Sequence, residues 1–318
     1  MAASTVSENQ LLCGMLGRRA VRVGIGGLRS RHMHARQEST HEVRVGDISL
    51  LCHIRGRGPI CVAHPGGPGM HWEYLRMPLV ERDLTMVYLE PVGTGGSDRL
   101  PAGTGYDLAT YTGHLAAVAD AFTAGPVFVL GHGHGGFVAQ SLALRLPQRV
   151  AGLILYATAP LADERTRAAA VDCLRTRAGE QIVAAYDRRP GDDVRQETGR
   201  LREILPAYFA DHRRREPAFE ALRAAARRWP RPVAEFDPVF DVRAELPSLS
   251  TPALVLAGAY DFAFGPGAAA MFRPVLPGAT VRVFRESGHF PHVEEPERFA
   301  RVVRDFTGSA SAHRPAGW

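Results

Sequence analysis

The sequence predicts an α/β fold: an eight-stranded, mostly parallel sheet with helices on both faces, interrupted by a helical insertion. Three observations predict it. Short apolar runs rich in β-branched residues, at 60–63, 86–89, 127–130, 153–157, 253–257 and 281–284, alternate with helix-period segments, as strands joined by helical crossovers do. Two further runs, 43–45 and 48–54, flank Gly46-Asp47 and read as a hairpin at one edge. Between 161 and 235 the alternation stops; Arg, Ala and Glu recur at helical spacing and no strand candidate appears.

The elements follow in order. Residues 1–40 mix Arg, Ser, Gly and His with weak periodicity, and are expected to form a disordered tail or to precede a true start at Met33. Arg18-Arg19 is like the opening of an export signal, but no adequate apolar stretch follows it. Val23-Gly24-Ile25-Gly26-Gly27 has neither a strand before it nor a helix after it, which argues against a phosphate loop. The core is expected over 41–160 and 236–308, the cap over 161–235 and a second disordered tail over 309–318. Within the core, the strand at 60–63 runs into His64-Pro65-Gly66-Gly67-Pro68-Gly69. The strand at 86–89 ends at Glu90, before Gly93-Thr94-Gly95-Gly96-Ser97. A helix is expected over 108–124 and a last one over 295–306.

The middle of the core carries the most informative stretch. After the Gly125-Pro126 breaker, four apolar residues lead into Gly131-His132-Gly133-His134-Gly135-Gly136. Phe137, Val138, Leu142 and Leu146 then recur at helical spacing, and Pro147 ends the helix. A strand that turns this sharply into a helix presents the turn residue above the sheet. The residue there is Gly133, which adopts strained backbone conformations at little cost but brings no oxygen.

Composition excludes several classes of function. The net charge is +5, yet six Arg and two Glu within residues 1–40 supply +4 of it. The folded body is therefore almost neutral and offers no obvious surface for nucleic acid. All 38 basic residues are Arg, a sign of codon bias rather than of function. No apolar run is long enough to span a membrane. Cys13, Cys52, Cys61 and Cys173 are scattered, with no metal-ligand spacing, and read as free thiols of a reducing cytoplasm. A monomer or homodimer is expected, with no cofactor and no metal.

Four motifs in order, Pro65-Gly66-Gly67-Pro68-Gly69, Gly93-Thr94-Gly95-Gly96-Ser97, the Gly131–Gly135 turn and Ser287-Gly288-His289-Phe290-Pro291, resemble those of the α/β-hydrolase fold, and most closely its proline-iminopeptidase-like branch. The resemblance covers about residues 43–306. It implies that Gly133 stands where the family carries a nucleophilic serine, written G-x-S-x-G. It implies backbone donors to an oxyanion at Gly66 and Gly67 and at the N–H of His134. It implies an acid at Asp261 and a base at His289, in the family's order of turn, acid, base. One departure is that Pro65 stands where the family has His before the glycine pair; His64 lies one earlier. A carboxyl group bonded to one imidazole nitrogen fixes the tautomer and leaves the other nitrogen as a base.

His64, Glu90 and His132 are expected near the pocket. Glu90 would serve either as an acid or base or as an acceptor holding the Gly93–Gly96 loop. His132 and His134 are two apart, but side chains so placed on a turn diverge, and no third ligand lies nearby. His132 reads better as a packed residue, and His134 as a helix-start residue able to hydrogen-bond substrate. Cap arginines such as Arg165, Arg167 and Arg175 would meet a substrate carboxylate or simply solvate the surface.

Three functions follow. The first is an enzyme acting on a small molecule with a His289–Asp261 general base and no covalent intermediate, by hydrolysis, elimination or cyclisation. The second is an inactive small-molecule-binding relative. The third is a serine hydrolase, an esterase or aminopeptidase, substituted at Gly133.

Overall fold

The computed structural model describes residues 37–101, 104–188, 191, 193–230 and 239–312. Residues 1–36 of the tail expected over 1–40 and the end of the chain after residue 312 lie outside the described residues, as do positions 189, 190, 192 and 231–235 of the expected cap and 102, 103 and 236–238 of the expected core.

Among the described residues, eight strands form one sheet: β1 (Gln37–Val45), β2 (Ile48–Gly56), β3 (Ile60–His64), β4 (Thr85–Leu89), β5 (Val127–His132), β6 (Val150–Tyr156), β9 (Ala253–Gly258) and β10 (Thr280–Phe284). The intervening β7 (Leu161–Ala162) and β8 (Phe240–Asp241) pair only with each other. The order across the sheet is β1-β2-β4-β3-β5-β6-β9-β10; β1–β2 and β2–β4 are antiparallel and the other five pairings parallel.

The period-two geometry of β5 explains its unbroken apolar run. Val127 and Val129 face one side, packed with Tyr111, Leu115 and Val118 of α1 (Leu108–Phe122) and Val138 and Leu142 of α2 (His134–Arg145). Phe128 and Leu130 face the other. A sheet covered on both faces buries both sets of side chains.

Two ends extend beyond expectation. β1 starts at Gln37, so residues 37–40 belong to the sheet rather than to the tail expected over 1–40. Its ladder with β2 uses backbone groups, from Gln37 opposite Gly56 onward, and needs no apolar residue. The last helix runs to Ala312, past the 308 boundary; Thr307 and Ala310 are buried along it.

The insertion leaves the core at β7 and returns at β8, a two-residue ladder that closes its neck. Among the described residues four α-helices build it: α3 (Glu164–Ala178), α4 (Glu180–Asp187), α5 (Val194–Ile204) and α6 (Glu216–Ala225). Asp163 caps α3 in a reciprocal box with Thr166, and Asp193 caps α5 by accepting the Gln196 N–H at 2.9 Å. Leu201, Leu205, Phe209, Phe219 and Leu222 join the cap to the core cluster. The core then continues through the short helices α7 (Pro266–Ala270), α8 (Phe272–Val275) and α9 (Pro291–Glu294) to α10 (Pro296–Ala312).

Candidate active site

The singled-out residues gather at the carboxyl ends of the parallel strands, the edge at which open α/β sheets bind ligands. β3 leads into Gly66-Gly67, β5 into Gly133, β9 into Asp261 and β10 into His289.

The turn is built by backbone contact. A β-carbon at position 131 would run into the carbonyl of Gly135, and one at 135 into the carbonyls of His64 and Pro65, so strand, loop and helix meet with no side chain between them. Gly133 has φ 53° and ψ −119°, a region L side chains occupy only under strain. Its surroundings are open, however. A β-carbon there would meet Gly66 Cα at 3.7 Å, the Ala157 carbonyl at 3.9 Å and His289 Nε2 at 3.9 Å, all ordinary contacts.

His289 Nδ1 lies 2.8 Å from Asp261 Oδ2. The other carboxyl oxygen accepts the N–H groups of Ala263 and Phe264 at 2.9 and 3.1 Å, which fixes the Asp261 side chain out of solvent. This leaves His289 Nε2 as the nitrogen facing the space above Gly133. It has no partner among the described residues. The His289 N–H donates to the Tyr208 carbonyl at 2.6 Å, so the cap helps hold the loop.

His132 packs beneath His289 with ring centres 4.5 Å apart. Tyr74 Oη accepts the Gly66 N–H at 2.6 Å and lies 2.8 Å from His132 Nδ1. The phenol proton therefore goes to His132 Nδ1, and His132 Nε2–H donates to the His289 carbonyl at 3.3 Å. Burial, reinforced by the imidazoles of His289 and His292, holds the His132 pKa well below its ordinary value. Gly66 was expected as a donor toward an oxyanion; its N–H is instead taken by Tyr74. The N–H groups of Gly67 and His134 donate to no atom among the described residues.

Two adjoining cavities open above the turn and share Gly67, His134, Arg167, Tyr186, Ala263 and Phe264. One, of 320 Å³, is walled by apolar residues such as Leu108, Phe137, Phe240 and Met271. The other, of 510 Å³, contains Gly133, His132 and His289 and is roofed by Tyr186, Tyr208 and cap arginines.

The alpha/beta hydrolase fold family matches residues 59–296. The chain belongs to that family. It is 27% identical over 294 residues to the 2-hydroxymuconate semialdehyde hydrolase of Pseudomonas sp. (strain CF600), covering 88% of this chain and 99% of that protein. It is 26% identical over 271 residues to the proline iminopeptidase of Heyndrickxia coagulans, covering 80% and 92% of the two chains. The crystal structure of proline iminopeptidase from Mycobacterium smegmatis superposes with a TM-score of 0.64 at 22% identity, covering 86% of this chain and 98% of that one. The relatives are named as enzymes of the superfamily, and this chain is an enzyme of it.

In this α/β-hydrolase-fold enzyme two expected pocket residues stand elsewhere. His64 lines neither cavity; it is packed behind the turn, Nδ1 lying 2.9 Å from the Pro65 carbonyl, and burial pushes its pKa down to about 4. Glu90 lines neither cavity as well. It accepts the Gly96 N–H at 2.5 Å and pairs with His53 at 2.6 Å, which makes it the acceptor that holds the Gly93–Gly96 loop. Burial alone would raise its pKa; the bonds from His53, His71 and Gly96 outweigh that and hold it well below the carboxylate range.

His132 and His134 do line the site. Burial, with His64 nearby, pushes the His134 pKa down to about 3, so the ring faces the cavity neutral. Of the three arginines named from the sequence, Arg167 reaches the cavity rim. Arg165 is exposed, and Arg175 pairs with Glu180 at 2.6 Å on the outer surface. Sequence reasoning missed Tyr74, Tyr208, Arg200 and Arg228, which only the fold brings to the site. Among the described residues no group of three or more His, Cys, Asp or Glu is arranged to hold a metal ion, and no helix is long and apolar enough to cross a membrane.

Proposed function

We propose that this enzyme acts on a small carbonyl-bearing molecule without a serine nucleophile, and that Gly133 occupies the nucleophile position of its family. His289, oriented by Asp261, is the general base. The N–H groups of Gly67 and His134 stabilise the oxygen on which negative charge develops. The observation that carries this reading is the open space above Gly133 with the unpartnered His289 Nε2 beside it. A water held there, or an acidic substrate proton brought there, is within reach of the base. Proton transfer to Nε2 is the common first step of hydrolysis, elimination and cyclisation.

Magnitude argues against the usual acyl-enzyme route. Losing the serine from a working triad costs on the order of a million-fold in turnover. About a thousand- to ten-thousand-fold over water survives in the oxyanion donors and binding, which is the machinery retained here.

The test is turnover of a panel containing p-nitrophenyl esters, proline p-nitroanilide and 2-hydroxy-6-oxodienoates. His289→Ala should lower kcat on the substrate found by about a hundred- to ten-thousand-fold. Unchanged turnover after His289→Ala and Asp261→Ala together would sink the reading, and no turnover of any substrate, with biological function kept in the double variant, would favour an inactive binding protein.

A second reading has its own support, because the clearance at position 133 also suits a serine. If the chain is a substituted serine hydrolase, Gly133→Ser produces fast ester hydrolysis with a burst of acyl-enzyme. If the base acts alone, the same change leaves the native reaction no faster.

A further inference from the structure

The cap's last described segment is stitched to the glycine loop. The His71 N–H donates to the Arg227 carbonyl at 2.9 Å and the Trp229 N–H to the Gly69 carbonyl at 2.8 Å, with Met70 and Arg228 bridged between them. This carries the Arg228 side chain into the wall of the cavity that holds Gly133 and His289.

Four arginines line that cavity, and three are already matched. Arg167 pairs with Asp187 at 2.6 Å and Arg188 with Glu203 at 3.1 Å, both at the exposed rim. Arg200 is buried and grips Glu197 through two bonds of 3.1 and 2.8 Å. Its Nη1 donates to the carbonyls of Tyr186 and Arg188. Arg228 has only a share of the same acid, its Nε lying 3.6 Å from Glu197 Oε2. Neither Arg228 terminal nitrogen has a partner among the described residues. Glu197 is itself fully enclosed, with a further bond from the Gly191 N–H at 2.7 Å.

Two guanidinium groups therefore share one carboxylate inside the cavity, and one positive charge is left over. Arg228 is 27% exposed, so its unmatched guanidinium edge meets the cavity, where an anion would complete it. Burial, followed by repulsion from Arg200, lowers the Arg228 pKa, the direction expected where no anion is in full contact with the guanidinium. A guanidinium fork suits the paired oxygens of a carboxylate or a phosphate.

We propose that Arg228, backed by the Arg200–Glu197 pair, is a subsite for one oxyanion group of the substrate, on the cap side of the cavity that His289 also lines. This rests on the cavity being the substrate site, as proposed above, but not on His289 acting as base.

The experiment is calorimetric titration of the full chain with hexanoate, hexanamide and hexyl phosphate. The wild type should prefer an anion to the neutral amide by roughly tenfold or more, the worth of one charge-assisted bond. Arg228→Gln should abolish that preference, Arg228→Lys should keep most of it, and Arg165→Gln on the outer face should not change it. The lysine variant separates lost charge from lost folding. Tighter binding of hexanoate assigns a carboxylate and of hexyl phosphate a phosphate; either supports the subsite. Equal binding of acid and amide, no saturable binding of any of the three, or an undiminished preference in Arg228→Gln overturns it. His289→Ala should bind anions as the wild type does while losing turnover, so failure of the base and failure of the subsite give different results.

Discussion

The hydroxyl of Tyr74 lies 2.8 Å from His132 Nδ1 while accepting the Gly66 N–H, so one phenol ties the glycine loop to the ring beneath the base. Tyr74→Phe keeps the ring and removes both bonds. It leaves a buried imidazole nitrogen and a buried N–H unpaired, at a cost of about 1–3 kcal/mol. Urea unfolding should show a lower midpoint with an unchanged slope. An unchanged midpoint would mean that water replaces the hydroxyl.

The glycines of the turn should separate sharply. Gly133→Ala makes only ordinary contacts and carries the strain of its backbone angles, about 1–3 kcal/mol. Gly135→Ala drives a methyl group into two backbone carbonyls that cannot turn aside, and should cost more than about 4 kcal/mol or prevent folding. Unfolding temperatures of the two variants decide it; equal losses would contradict the close approach of helix and loop.

Asp261→Asn should separate orientation from stability. The amide keeps the shape but offers a donor where His289 Nδ1–H needs an acceptor, which favours the wrong tautomer. Loss of about ten-thousand-fold in kcat is the scale of this defect in a related triad. The measurement is kcat beside an unfolding curve, and a variant with near-normal kcat would remove Asp261 from the mechanism.

Acid should unfold the protein early. Imidazoles of an unfolded chain titrate near 6.5. In the fold, burial pushes His64 and His292 down to about 4 and His134 to about 3, and holds His132 well below its ordinary value. Their folded pKa values lie below the unfolded ones, so the unfolded chain binds more protons. The stability they contribute is full above about pH 6.5 and is lost as the pH falls toward about 4. Each contributes a slope of up to about 1.4 kcal/mol per pH unit in that window. Glu294 acts in the opposite sense. Burial raises it to about 7, against N–H bonds from Ala210 and Gly288, so its contribution is present below about 4.5 and lost as the pH rises to 7. Four imidazoles outweigh one carboxyl. Urea unfolding at pH 7, 6 and 5 should give steadily lower stability, and His64→Asn should make the decline shallower; a flat profile would refute the neutral buried histidines.

The parallel core was legible because its strands are buried on both faces and bounded by Gly and Pro, so period and length alone pick them out. The hydrogen-bonded pair of Asp261 and His289 was legible because both follow strands that end at the same edge. The roles of Gly66 and His64 were not, while the acceptor role of Glu90 was one of the two readings open from sequence. Tyr74, which takes the Gly66 N–H, sits in a short turn eight residues onward, and nothing local aims it there. His64 and Glu90 end neighbouring strands, and sequence does not show whether such side chains face the cavity or the packed interior. The cap arginines are the plainest case: Arg175 and Arg200 both lie on charged, Arg-rich helices, and only the docking of the cap sends one to solvent and the other inside.

The clearance above Gly133 also bears on descent. Glycine and serine codons can differ by a single base, and a β-carbon at this position would make only ordinary contacts of 3.7 to 3.9 Å. On the proposal that Gly133 occupies the nucleophile position, gaining or losing a side-chain oxygen would be a one-step change opposed by the backbone strain of that turn.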